Sequence, residues 1–174
     1  MRHVLAVLVE DKPGVLVRVA GLFARRGFNI ESLAVGRTVD PGISRMTIEL
    51  DADEKTLEQV VKQLHKLVNV IKVTNLTREP SVSRELVLIK VRAPAASRAE
   101  IQQIVETFRA KIVDVSLQSL IIEVTGNDEK LEAIQLLLSH YGILELVRTG
   151  KIALLRGAKT IRNGEGNNHG KDLL

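Results

Sequence analysis

One pattern is written twice along this chain, and it leaves few folds open. Val4-Leu5-Ala6-Val7-Leu8-Val9 is a short, continuous apolar run rich in β-branched residues, which reads as a buried strand from about His3 to Val9. Val15, Val19, Leu22 and Phe23 then recur at helical spacing, so a helix is expected from about Gly14 to Arg26, closed by Gly27. Phe28 to Val35 reads as a second strand. Asp40-Pro41-Gly42 signals a turn. Met46, Ile48 and Leu50 alternate with Arg45, Thr47 and Glu49 on a third strand. Asp51 to Asp53 offers a cap for a second helix, in which Leu57, Val60, Val61, Leu64 and Leu67 form one stripe. Val68 to Leu76 supplies a fourth strand. The order β-α-β-β-α-β is the split βαβ, or ferredoxin-like, pattern.

The pattern then repeats. Leu86 to Val91 mirrors the first strand, and Pro94 to Ser97 leads into a helix with Ile101, Ile104, Val105 and Phe108 on one face. Ile112 to Leu117 and Leu120 to Thr125 read as strands, and Leu144 to Val147 as another. Between them Gly126-Asn127-Asp128 turns into a helix with Leu131, Ile134 and Leu138. The stripes of the two halves align at a constant offset, Leu57 on Leu131, Val60 on Ile134, Leu64 on Leu138, Val70 on Leu144 and Val73 on Val147, and Asp53-Glu54-Lys55 resembles Asp128-Glu129-Lys130. The expected class is α+β: two consecutive ferredoxin-like domains, each an antiparallel sheet with helices on one face. The first domain is expected at 1–77, a polar linker around Pro80 at 78–83, the second domain at 84–158, and a disordered tail at 159–174.

Composition narrows the function. The 174 residues include no Cys, which removes disulfides, thiolate catalysis and cysteine-based metal sites. Net charge is only +4, from 25 basic and 21 acidic residues, a weak argument for nucleic acid. No apolar run reaches the length of a membrane span, and the first residues lack the order of a signal peptide, so the expectation is a cytoplasmic protein. His3, His65, His140 and His169 have no carboxylate or second His at metal-ligand spacing, and no metal is expected. His65 and His140 stand near helix ends, where a cation complements the helix dipole. There is no phosphate-binding or nucleophile-elbow motif. Recognition of RNA by this fold stacks bases on sheet aromatics. The chain's aromatics are Phe23, Phe28, Phe108 and Tyr141, and no strand carries a pair of them.

What remains is binding of a small molecule that carries both charges. Glu10-Asp11-Lys12-Pro13-Gly14 joins the first strand to the first helix. Pro13 suits a first helical turn, and Gly14 has no side chain to hold a ligand off the backbone. The N–H groups around Gly14 to Leu16 suit a carboxylate, and Asp11 an ammonium group. Asn29 opens the second strand, at the end expected to adjoin this turn. A plainer reading stands level with this one: Asp11 caps the helix, and Asn29 tolerates the bend after Gly27. The second half has Ala93-Pro94-Ala95-Ala96 in place of the turn, so only the first half is expected to hold such a site.

Glu10 to Leu16, Arg25-Arg26-Gly27-Phe28-Asn29-Ile30-Glu31-Ser32-Leu33 and Ser44-Arg45-Met46-Thr47-Ile48 closely resemble the regulatory (small) subunits of acetolactate synthase, also called acetohydroxyacid synthase. Gln63 to Val68, Arg84-Glu85-Leu86, Thr149-Gly150-Lys151 and Leu155-Arg156-Gly157 extend the resemblance to about residue 160. The resemblance implies an N-terminal ACT domain that senses a branched-chain amino acid, usually valine, at a dimer interface, and a second domain of similar topology. It implies a subunit with no active site and no cofactor of its own, which activates a catalytic large subunit and confers feedback inhibition. Thiamine diphosphate, Mg²⁺ and FAD would belong to that partner. Carried over by position, the effector contacts are Asp11, Gly14, Val15, Leu16, Asn29 and Ile30. Many relatives have Asn where this chain has Asp11. The alternative is a free-standing amino-acid-sensing ACT protein acting on another target.

Overall fold

The computed structural model describes residues 1–162. Among these residues the chain forms nine strands, four α-helices and one short 3₁₀ turn, in two units. The first unit is Met1–Val82 with the segment that begins at Ala153; the second is Ser83–Ile152.

In the first unit the elements are β1 (Arg2–Glu10), α1 (Val15–Arg26), β2 (Ser32–Arg37), β3 (Ile43–Asp51), α2 (Glu54–His65) and β4 (Val70–Asn75). The sheet order is β2-β3-β1-β4, with every neighbour antiparallel. Alternation sends Leu5, Val7 and Val9 of β1, with Met46, Ile48 and Leu50 of β3, to one face. There they pack on Val15, Val19, Leu22 and Phe23 of α1 and on Leu57, Val60 and Leu64 of α2. Each such side chain contributes about 1.5–3 kcal/mol when fully buried, so the helical stripes dock because this is the apolar surface they can cover.

The end of α1 shows how local chemistry sets a boundary. Gly27 adopts φ 69°, its N–H bonds the Ala24 carbonyl at 3.2 Å, and the Phe28 N–H reaches the Phe23 carbonyl at 2.9 Å. The Phe23 and Phe28 rings meet edge to face at 6.3 Å, the apolar contact that accompanies this left-handed helix ending. Phe28 is therefore part of the helix closure, and β2 starts at Ser32 rather than at Phe28.

The second unit repeats the arrangement with β5 (Ser81–Arg92), a 3₁₀ turn at Ala95–Ser97, α3 (Arg98–Thr107), β6 (Lys111–Val115), β7 (Ser119–Gly126), α4 (Asp128–Ser139) and β8 (Ile143–Arg148). The order is β6-β7-β5-β8. Val87, Ile89 and Val91 with Leu120, Ile122 and Val124 face Ile101 and Val105 of α3 and Leu131, Ile134 and Leu138 of α4. The capping residues of the second helices are Asp53, whose carboxylate accepts the Thr56 N–H at 2.7 Å, and Asn127, which accepts the Lys130 N–H at 3.1 Å. It is Asn127, not Asp128, that corresponds to Asp53.

The end of the chain carries one more element than the repeated pattern. A further strand, β9 (Ile152–Leu155), pairs with β5. Residues 153–158, expected in the second domain, group by contact with the first unit, while β9 is a strand of the sheet that holds β5. Ile161, expected in the tail, is buried with Ala6, Leu8, Leu76 and Ala153 on the sheet face opposite the helices. That face of β1 is apolar, and only this segment among the described residues supplies a cover for it within the cluster. The rest of the expected tail, 163–174, lies outside the described residues.

Candidate functional site

The turn after β1 is held from two sides. The Asp11 N–H bonds the Gly42 carbonyl at 2.8 Å, in the β2–β3 hairpin. The Glu10 N–H bonds the Asn69 carbonyl at 2.9 Å, and the Asn69 side-chain amide donates to the Glu10 carboxylate at 2.9 Å. Arg18 on α1 donates to Asn69 at 2.6 Å, and Lys12 meets Glu10 at 2.8 Å. The hydrogen bond from Lys12, then that from Asn69, holds the Glu10 carboxyl below its ordinary 4.5.

Gly14 sits just ahead of α1 at φ 84° and ψ −9°, a left-handed conformation that favours glycine. Among the described residues no side chain caps this helix end, and its first turn carries no acid. Asp11 instead accepts a bond from Arg37 at 3.1 Å. The structure thus sets aside the plainer reading in which Asp11 caps α1. An α-helix leaves its first N–H groups without partners inside the helix, so this end presents donors and the positive end of a dipole. A carboxylate is the matching ligand group. Val15 is buried in the core; Leu16 stands 45% exposed beside it in sequence.

Asp11, Gly14, Val15 and Leu16 therefore share one turn. Asn29 and Ile30 do not join them within one chain. Arg37 pairs in register with Ser44, which pairs with Val9, so the end of β2 lies level with the turn. Ser32 pairs with Glu49, which pairs with Val4. The start of β2 is thus five residues back along β1, about 17 Å at the rise of a strand. Asn29 lies beyond that far end, where its amide donates to Glu31 at 2.5 Å. The expectation that this strand end adjoins the turn is corrected by the register: α1 carries the chain from one end of the sheet to the other.

Arg37, Asn69 and Arg18 were missed in the sequence. Each bonds across a long sequence separation, and no local spacing announces it. The described aromatics lie in α1, in the connections after α1 and α4, and at the close of α3; none is on a strand, so base stacking on either sheet has no platform. Among the described residues no group of three or more His, Asp or Glu is placed to hold a metal ion, and no helix is long and apolar enough to cross a membrane.

The first unit is thus a βαββαβ domain whose first helix opens, without a side-chain cap, behind a glycine turn. Residues 5–72 match a family model described as the AHAS small subunit-like ACT domain. Residues 84–157 match one described as the small subunit of acetolactate synthase. A probable acetolactate synthase small subunit of Archaeoglobus fulgidus is 59% identical over 91% of this chain and 99% of its own length. An acetolactate synthase small subunit of Mycobacterium leprae is 56% identical over 91% of this chain and 94% of its own. The crystal structure of the acetolactate synthase small subunit from Thermotoga maritima superposes with a TM-score of 0.83 at 48% identity, covering 91% of this chain and 99% of that one. The chain belongs to the family of acetolactate synthase small, regulatory subunits.

Proposed function

We propose that this chain is the feedback sensor of an acetolactate synthase: it binds a branched-chain amino acid, valine foremost, activates the catalytic large subunit, and transmits inhibition when the effector binds. The names of its relatives support a large-subunit partner, since each is called a small subunit of acetolactate synthase, which implies a larger one. The catalytic cofactors are assigned to that partner, and the complex to the cytoplasm.

The observation that carries the effector reading is the divided site. One chain offers the 10–14 turn, with donors for a carboxylate and Asp11 for an ammonium group, while Asn29 and Ile30 stand at the opposite end of β2. β2 is an edge strand of six residues. Pairing it antiparallel with the β2 of a second copy reverses its direction, which brings Asn29 and Ile30 of the partner subunit beside this turn. A two-fold homodimer then holds two complete sites. Leu16 and Val35, 45% and 49% exposed near the start of α1 and the end of β2, supply apolar surface for an aliphatic side chain. The test is isothermal titration with valine, leucine and isoleucine, followed by reconstitution with the matching large subunit. Binding of at least one of the three, with raised turnover that the same amino acid suppresses, is expected. No binding, or no complex with the large subunit, overturns the reading.

A further inference from the structure

Ala153 and Ile161 lie buried on the face of the first sheet that α1 and α2 leave uncovered, against Ala6, Leu8 and Leu76. Val4, Ile43 and Leu155 pack around them. Polar contacts run along the same segment. The Arg45 guanidinium donates to the Ala153 carbonyl. The Arg156 N–H bonds the Pro80 carbonyl at 2.8 Å, Lys159 pairs with Glu79 at 2.9 Å, and Arg162 pairs with Asp40 at 2.7 Å.

Asp40 is in the β2–β3 hairpin, whose tip is closed on itself. The Thr38 N–H bonds the Ile43 carbonyl at 3.0 Å, and the Thr38 hydroxyl donates to the same carbonyl at 2.9 Å. Two residues beyond Asp40, Gly42 accepts the Asp11 N–H; at the base of the hairpin, Arg37 holds the Asp11 carboxylate. The hairpin is thus gripped on one side by the C-terminal segment and itself grips the 10–14 turn on the other.

We propose that residues 153–162 form a strap that positions the 10–14 turn through the β2–β3 hairpin, and so sets how tightly the turn binds its ligand. The affinity half rests on the function proposed above; the positional half does not. Ile161, Arg162 and Arg45 are positioning residues on this account. A turn held in place before binding loses less freedom when the ligand arrives, so a released strap weakens binding without removing a ligand contact. The exposed Arg162–Asp40 pair is individually weak, so its loss is expected to weaken binding by about two- to threefold. Ile161→Asp sets a carboxylate on the apolar patch and detaches more of the strap, with a loss of about tenfold.

The experiment uses the full chain as Arg162→Glu, Ile161→Asp, and the exchanged pair Asp40→Arg with Arg162→Glu. Hydrogen exchange without ligand is read first. Faster exchange of the Asp11, Thr38 and Ile43 amides is expected in both single variants, with unchanged exchange at Leu5 and Val7 and recovery in the exchanged pair. Valine titration should then follow the same order, with affinity restored in the exchanged pair. Unaltered Asp11 exchange in both single variants overturns the strap. Altered exchange with unaltered valine affinity overturns its role in binding. Should Ile161→Asp not fold, the Arg162 pair still decides the matter, because both of its partners are partly exposed. A wild-type chain that binds none of the three amino acids overturns the affinity half together with the proposed function, and exchange alone then decides the positional half.

Discussion

Gly14 combines two properties that substitutions can separate. Its φ of 84° strains any residue with a Cβ, by about 1–2 kcal/mol, with Asp near the lower end. A Cβ built there meets nothing within 4 Å among the described residues, so strain is the only steric cost they impose. Gly14→Ala should therefore lower stability by about 1 kcal/mol, and its uncharged methyl should weaken effector binding less than an added carboxylate does. Gly14→Asp adds a carboxylate where the ligand carboxylate is proposed. At ~4 Å and an effective dielectric of ~20 the repulsion is about 4 kcal/mol, reduced to about 1–2 kcal/mol by solvent and salt, or roughly a tenfold loss. Titration beside thermal melting separates the two; equal affinities for both variants would place the ligand elsewhere. Glu10 makes a pH prediction. Its folded value lies below 4.5, so its support of the turn is present above the unfolded value and lost as pH falls through the folded one. The Asn69 side-chain amide resonances should follow a single transition whose midpoint lies below 4.5. A midpoint above 4.5 would show that another group governs the turn.

At the scale of elements, the two units use the same construction with different fastenings. Asp53 and Asn127 cap α2 and α4 in the same way, and both lie at the offset that relates the apolar stripes. The edge of the second sheet is fastened by an ion pair instead. Arg148 on β8 clasps the buried Glu85 carboxylate through Nε at 3.0 Å and Nη2 at 2.6 Å, and the Gly150 N–H adds a bond at 3.1 Å. Arg148→Met leaves that carboxylate buried with, among the described residues, only the Gly150 donor, and should cost about 2–3 kcal/mol, since the arginine is partly exposed. Adding Glu85→Met removes the stranded charge and should recover at least half of the loss. Denaturant unfolding of the single and double variants gives the comparison. A double variant as unstable as the single one would mean that the pair matters for shape rather than for charge.

For the whole molecule, the proposal of a site divided between two copies has a consequence that a site within one chain does not share. Gly14→Asp damages the turn, and Asn29→Ala removes one or two hydrogen bonds to a charged ligand, about 1.5–3 kcal/mol each. Each homodimer should bind effector poorly. In the mixed dimer, the Asn29→Ala chain contributes an intact turn and the Gly14→Asp chain an intact Asn29, so one of the two sites is whole. Mixing and exchanging the two variants should therefore restore effector binding at wild-type affinity with half the stoichiometry in each mixed dimer. If turn and Asn29 belonged to one chain, every site in the mixture would stay damaged and titration would show no gain.

The elements themselves were readable in the sequence because the signals that make them are local. The alternation of Met46, Ile48 and Leu50, the stripe from Leu57 to Leu64, the turn at Asp40-Pro41-Gly42 and the closure at Gly27 each depend on neighbours a few positions away. So does the Gly14 turn, whose backbone conformation favours glycine. The blurred start of β2 came from Phe28, which is apolar for the sake of Phe23 rather than of a sheet. Tertiary structure decided what depends on register and on distant packing. The pairing of Ser32 with Glu49 and of Arg37 with Ser44 separates Asn29 from Asp11, and sets Arg37 beside Asp11. The burial of Ile161 on Ala6 and Leu8 draws the end of the chain onto its first strand. A periodic pattern states which face of an element is apolar. Which strand lies beside it, at what offset, and what covers its other face follow from contacts between residues far apart in sequence, settled only when the whole chain packs.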